Sequence, residues 1–443
     1  MRPFLLRMTV LAAVLACGAL PFTAAADGLD AREREIVAWV DRHADSAVDL
    51  LEETVNISSG TMNHSGIRAV GAVMARELDA TGLASEWIAM PPEVNRAGHL
   101  FARRDGDGPK VLLIGHLDTV FEADDSFQAF RREGNLAHGP GVIDMKSGNV
   151  IIVYALQALA AADALDDLSV VVAMTGDEEK TGRPLAVARR DLVEAGRWAD
   201  YAFGFEAAVY DEGRDWATIA RRSSSSWTLR VAGKQAHSSG IFGEETGAGA
   251  IFEAARILNA FYEEVRGEEY LTFNAGTIQG GTEVEYDPQQ NRGRTFGKTN
   301  VVPRSVIVHG GLRTVSAEQL ARAREAMERI VQQNLPHTSA TIEFEDSYPA
   351  MPPVAGNRRL QALLSGVNED LGRGPMRALD PARRGAADVS FVAPYADALA
   401  GLGAMGAGSH SPDERVELDS IPLAIKRAAL LLYRLSKAHG RAD

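Results

Sequence analysis

The chain has 443 residues, 46% of them hydrophobic and 24% charged, with a formal net charge of -14. That length accommodates two or more domains and a large core, and the composition is that of a soluble globular protein. An acidic balance of this size excludes a nucleic-acid partner, which would need a basic face. There is no internal repeat and no long low-complexity segment.

Arg2 and Arg7 charge the start of the chain, Met8 to Phe22 is mostly apolar, and Ala24 to Ala26 are small residues before Asp27. This is the pattern of a signal peptide cleaved after Ala26. Its apolar run is shorter than a membrane span needs. The chain is therefore expected to be periplasmic or secreted, with no stable membrane association. The single cysteine, Cys17, lies inside this segment. Val14-Leu-Ala-Cys17 faintly resembles a lipoprotein box, but the site at Ala26 fits better. Residues 27–443 then carry no disulfide and no thiolate, so a zinc site among them must use His, Asp and Glu.

Ile36, Val37, Val40, Val48 and Leu51 recur at helical spacing between charges and predict a helix over 31–55. A second helix is expected over 66–78, closed by Gly82. Residues 85–89 and 99–102 read as strands, and Asp105-Gly-Asp-Gly108 as a turn. Val111 to Ile114 is a short apolar run stopped at Gly115, which reads as a strand buried on both faces. It delivers His116 and Asp118 at its end. Residues two apart in an extended chain point the same way. The pair reads either as a metal ligand with its orienting carboxylate or as a polar loop with a chance neighbour.

Residues 137–149 form a glycine-rich turn running into an apolar helix over 150–161. Asp144, where they meet, reads as a helix N-cap or as a carboxylate placed to hold metal. A buried-type strand over 168–174 ends in Thr175-Gly-Asp-Glu-Glu-Lys180. Adjacent glutamates are usually solvated surface. At the same sheet edge as His116 they would be an acid/base and a ligand side by side. A short strand over 201–205 leads to Glu206. Strands thus end at three candidate residues, and open α/β sheets place their sites at the carboxyl ends of strands.

After Glu206 the pattern changes. Strands are expected over 216–222, 226–231, 272–278, 306–312 with Val302, and 340–344, with helices over 247–265 and 316–332, the latter capped by Ser316. The inserted strands and two helices suggest a small α+β domain. Glu283 to Phe296 reads as an extra polar loop. His99 and His138 fit no motif and read as ordinary surface or satisfied polar residues, and no phosphate-loop pattern surrounds Lys146.

The segments His116-Leu-Asp-Thr119, Gly141-Val-Ile-Asp-Met-Lys146, Gly176-Asp-Glu-Glu179, Gly204-Phe-Glu206 and Gly408-Ser-His410 come in this order. Their sequence and spacing resemble the co-catalytic dizinc exopeptidases of the aminoacylase and glutamate carboxypeptidase family. The nearest likeness is to exported bacterial glutamate carboxypeptidases of the folate-cleaving type. Gly385-Ala-Ala-Asp-Val-Ser-Phe391 and His410-Ser-Pro-Asp-Glu414 strengthen it.

The resemblance implies an α/β zinc-exopeptidase domain, with a mixed central sheet and helices on both faces, in two parts over 27–215 and 348–443. An α+β, ferredoxin-like lid and dimerisation domain would occupy 216–347. Two zinc ions per chain are implied, with cobalt or manganese as other divalent metals. His116 and Glu206 would bind one ion and Glu179 and His410 the other. Asp144 would bridge them, Asp118 would orient His116, and Glu178 would be the general base. A cis peptide is implied at Asp144–Met145. His237 would stabilise the oxyanion, often in the partner's site of a homodimer. Asn300 and Arg313 would hold the substrate's carboxylate, a role suited to the guanidinium fork. Relatives often carry Asp two residues before that arginine, where this chain has Gly311. Without the resemblance, His237 reads as a surface turn residue, Asn300 as a turn former before a proline and Arg313 as a solvated strand residue.

The implied reaction is cleavage of the amide joining a peptidyl or acyl group to a C-terminal amino acid, glutamate first. Export argues against the cytosolic acetylornithine deacetylase and succinyl-diaminopimelate desuccinylase activities. An aminoacylase or dipeptidase of broader specificity is the alternative. A zinc-dependent binding protein without catalysis is a third reading, against which Glu178 stands.

Overall fold

The computed structural model describes residues 28–287, 290 and 292–439. The expected signal segment lies outside the described residues.

The run at Val111 to Ile114 forms the strand Lys110–His116, buried at every position after Lys110. Period-two alternation splits its side chains between two cores. Val111 and Leu113 pack with helices Ala31–Val55, Ser147–Ala161 and Ser420–His439, whereas Leu112 and Ile114 pack with Leu192, Ala195 and Val392 on the other face. A strand covered on both sides has no reason to alternate polar and apolar residues, hence the continuous apolar run.

Six strands make this sheet, in the order Ala84–Ile88, His99–Arg104, Ser169–Thr175, Lys110–His116, Tyr201–Gly204 and Asp397–Leu399. The last four run parallel and the first two add antiparallel pairs, so the sheet is mixed, with helices on both faces as expected.

Helix Ala31–Val55 keeps its expected bounds, and its start is fixed by a capping box between Asp30 and Glu33. The second helix, His64–Asp79, begins earlier than read because the Asn63 side chain accepts from Gly66 N. The apolar helix also begins early, at Ser147, without a side-chain cap, so the N-cap reading of Asp144 is corrected.

A second sheet has the order Thr272–Gly281, Ser305–Arg313, Ser224–Gly233, Thr338–Tyr348, with every neighbour antiparallel. Helices Gly249–Ala260 and Ala317–Val331 cross between its strands, which is the split βαβ of a ferredoxin-like unit. It has a core of its own, built from Trp227, Leu229, Val308, Ala254, Ile257, Met327 and neighbours. Ser316 caps the second helix by accepting from Gln319 N.

Two expectations are corrected in this region. The expected strand over 216–222 forms only at Arg214–Ala217, and it pairs with Val209–Asp211 and Arg377–Ala378 instead of joining the second sheet. The expected loop over 283–296 is a hairpin of Glu283–Asp287 and Arg292–Phe296. Its register sets Glu285 against Arg294 and Asp287 against Arg292. Opposite charges across the ladder support it, and Val284 and Tyr286, half-buried between exposed acidic residues, give its first strand the period of two that a polar-loop reading overlooks.

Candidate metal centre

Parallel register brings the motifs to one edge. His116 pairs with Thr175 and Ile114 with Gly204, so the segments carrying Glu178, Glu179 and Glu206 leave the sheet beside His116. Gly115 admits this packing, because a Cβ there would collide with Asn149 Oδ1. Asn149 Nδ2 instead donates to His116 O at 2.6 Å.

Asp144 arrives from the opposite side, on a turn that starts at Gly141 with φ 73° and contains the implied cis Asp144–Met145 bond. The Glu414 carboxylate holds this turn by accepting from Ile143 N (2.9 Å), Asp144 N (3.1 Å) and Gly141 N (3.2 Å). Asp144 then sits between two imidazoles, 3.2 Å from His116 Nε2 through Oδ1 and 3.2 Å from His410 Nε2 through Oδ2. His410 also lies 3.2 Å from Glu179 Oε2.

Asp118 is fully buried and sets the geometry around it. It stands 3.4 Å from His116 Nδ1 and accepts from Thr61 Oγ1 (2.7 Å), Glu178 N (3.0 Å) and Glu179 N (3.1 Å). Asp118 thereby holds both neighbours: its carbonyl oxygen lies 3.0 Å from His116 Nδ1, and its carboxylate fixes the two-glutamate turn.

The residues fit a metal. Ligand atoms of His116, Asp144 and Glu179 lie within 4.8 Å of one another, and the buried Glu179 Oε1 has no hydrogen-bond partner. Nitrogen and carboxylate oxygen donors without sulfur suit zinc and other borderline or hard divalent ions.

The charge balance agrees. Burial lowers the His116 pKa, but hydrogen bonds to Asp118 and Asp144 outweigh it and hold the pKa well above its ordinary value. Hydrogen bonds to Asp144 and Glu179 raise His410 to about 10. Burial works to raise Asp144, yet His116 and His410 pull it below the usual carboxylate range. Without metal, imidazolium protons offset the carboxylates, and a bound cation takes over that charge and releases them. Glu178 differs: burial pushes it well above the usual range against an opposing pull from His116, and the negative charges of Glu206, Asp388 and Glu179 add to the rise.

Glu206 lines the same cavity as Asp144, Glu178, Glu179 and His410. Its carboxylate is engaged by Arg221 through a short ion pair and by Arg384 at 3.5 Å. His237, Asn300 and Arg313 are exposed and lie on the α+β unit. His237 and Asn300 are brought together there, with Ser238 N donating to Asn300 O at 3.0 Å and His237 bridged to Val301. Arg313 ends the strand Ser305–Arg313 opposite Thr272.

Several residues of the site were not singled out from sequence. Glu414 was quoted in a motif but given no role. The buried Arg189 ties Asp177 to Asp388, and Tyr348 Oη donates to Glu178 O at 2.7 Å. Their only sequence signal is charge set among apolar residues. His99 is a satisfied core histidine, as one reading allowed. Its Nε2 lies 2.9 Å from Ala188 O, and Nδ1 accepts from Gly176 N.

The fold and site define a hydrolase of the metallopeptidase class. Residues 112–434 match the model of Peptidase family M20/M25/M40, and the chain belongs to that family. It is 26% identical over 443 residues to carboxypeptidase G2 of Pseudomonas sp. (strain RS-16), across 98% of this chain and 99% of the relative. It is 27% identical over 394 residues to succinyl-diaminopimelate desuccinylase of Dechloromonas aromatica (strain RCB), across 86% and 96%. Among solved structures, aminopeptidase PepT of Bacillus cereus ATCC 10987 aligns with a TM-score of 0.70 at 17% identity, covering 88% of this chain and 98% of that one. The Bacillus subtilis YXEP protein, described as a dinuclear metal binding peptidase, aligns at 0.62 and 14% identity, covering 90% and 99%.

Proposed function

We propose that this chain hydrolyses the amide bond joining a peptidyl or acyl group to a C-terminal amino acid, glutamate first, with two divalent metal ions, zinc first. The observation that carries it is Asp144, whose two carboxylate oxygens each meet an imidazole Nε2 at 3.2 Å. His116 and Glu206 would hold one ion, Glu179 and His410 the other, and Asp144 would serve both.

Bound there, the ions supply a polarised scissile carbonyl and an acidified water. Glu178, which need not be a ligand, takes the water's proton and returns it to the leaving nitrogen. It lines the cavity beside Asp144 and Glu179, within reach of what those residues would hold. Asp118 keeps the His116 ring and the Glu178 backbone in register during that exchange.

His237, exposed on the α+β unit, serves the oxyanion in the site of a second copy, in a homodimer formed through that unit. Asn300 and Arg313 serve the substrate's carboxylate. The chain acts outside the cytoplasm after loss of residues 1–26, on external peptides or N-acyl amino acids.

The test is amide hydrolysis by the zinc-loaded protein on benzoyl-Glu, -Asp, -Ala, -Leu and -Arg, folate and a few dipeptides. Preference for glutamate and folate is the expected result. Preference for apolar residues or dipeptides would move the chain to the aminoacylase or dipeptidase branch. No turnover on any of them, with two ions bound, would overturn the hydrolase reading.

A further inference from the structure

The cavity beside the cluster has both acidic and basic residues in its lining. Asp144, Glu178, Glu179 and His410 line a space of about 300 Å³ together with Arg221 and Arg384. Arg383 also reaches it, but its guanidinium is turned to Asp211 at 2.7 Å. Arg221 and Arg384 share a single carboxylate, Glu206. Two guanidiniums and one carboxylate leave this group with one positive charge in excess.

Arg221 is the inner member, with its side chain 2% exposed, and it also donates to Ala386 O at 2.8 Å. Arg384 is the outer member, 15% exposed, and its contact with Glu206 is a single one at 3.5 Å. The buried Nε atoms of both have no hydrogen-bond partner. A guanidinium offers five donors in a planar fork matched to a carboxylate. A buried guanidinium Nε without a partner is costly, and an anion in the cavity would complete the fork of Arg384, whose one protein contact here is long. Any cation that draws on Glu206 deepens the deficit.

We propose that Arg384, backed by Arg221, is a specificity residue that receives a carboxylate on the part of the substrate next to the scissile amide. This rests on the amide-hydrolase reading and names its substrate class as acidic. The carboxylate has two sources: the side chain of an acidic leaving residue, or the far end of a dicarboxylic acyl group such as succinyl. It is separate from the α-carboxylate assigned to Arg313, which belongs to every C-terminal residue. Arg384 follows Pro381–Arg383 and precedes Gly385 and Ala386, so the loop puts no bulky side chain between it and the cavity.

The experiment compares wild type, Arg384→Gln and Arg384→Lys, zinc-loaded, on matched amides. One arm is benzoyl-Glu against benzoyl-Gln, and the other is succinyl-Ala against butyryl-Ala. Arg384→Gln should raise KM for the acidic member of one pair by roughly ten- to a hundredfold, as expected for a lost charged hydrogen bond. KM for its neutral partner should change little, and Arg384→Lys should recover part of the loss. The arm that responds identifies the source of the carboxylate. An equal rise for acidic and neutral members, or none for either acid, overturns the proposal. Should wild type hydrolyse none of the four, calorimetry with glutarate on the same proteins decides: weaker binding to Arg384→Gln upholds the subsite and equal binding rejects it.

Discussion

Glu178 lines the cavity without being tied to the His410 imidazole that engages its neighbour Glu179. That separation of two adjacent carboxylates is set by Asp118, which accepts from both of their backbone N–H groups. Burial raises the Glu178 pKa above the usual carboxylate range. Glu178→Gln keeps the shape and removes the base. It should lower kcat by about 10²- to 10⁴-fold while zinc content, measured by atomic absorption, stays at the wild-type level. Near-normal kcat in that variant would remove the base assignment. The places of His116 and the two glutamates at one sheet edge were legible because each segment follows an apolar strand. Those of Arg189 and Arg221 were not, since an arginine's partner cannot be read from its own neighbours.

The glycine-rich turn is the element on which the site depends. Gly141 supplies the left-handed φ that opens it, and Glu414 gathers the N–H groups of Gly141, Ile143 and Asp144. The sequence marks the turn but hides its anchor, because Glu414 lies 271 residues from Ile143. Glu414→Ala leaves buried donors without partners, at a cost of about 1–3 kcal/mol for the first and less for those that relax. The expected result is a lower melting temperature together with a weaker zinc affinity, as Asp144 loses its fixed position. A variant that melts early yet binds zinc as tightly as wild type would show that the turn holds Asp144 without Glu414. The hairpin Glu283–Asp287 and Arg292–Phe296 was hidden for a different reason: Val284 and Tyr286 alternate with acidic residues over only five positions, and the partner strand is exposed throughout.

Across the whole molecule, chain segments far apart in sequence are locked by buried ion pairs away from the site. Asp215, 2% exposed, meets Arg427 Nη2 at 2.7 Å, Arg373 Nε at 3.3 Å and Asn368 Nδ2 at 3.3 Å. It joins the strand Arg214–Ala217 to helices Ala355–Asp370 and Ser420–His439. Burial works to raise its pKa, but Arg427, Arg373 and Asn368 outweigh that and hold it below its ordinary 3.8. A depressed carboxylate binds fewer protons folded than unfolded. Its contribution is therefore complete above its unfolded pKa and is lost as pH falls through the folded value. Asp215→Asn should melt earlier than wild type at pH 7, and the gap should narrow as pH falls towards 3. A gap independent of pH, by thermal denaturation, would show that Asp215 acts by packing and not by charge.

The sequence by itself determined which residues could act, because apolar strands, glycine turns and the order of five short motifs are local patterns readable at spacings of two to four residues. It also marked the inserted segment as a small α+β unit, whose ferredoxin-like strand order the tertiary pairing shows. Tertiary structure alone decided what each charged group faces: two arginines against Glu206, Glu414 beneath the Asp144 turn, and Arg189 behind Asp177 and Asp388. It also placed His237 and Asn300 on the exposed surface of the α+β unit. The physical reason is range. Periodicity reports burial along one element, whereas a buried charge is satisfied by whatever the fold brings to it from elsewhere in the chain.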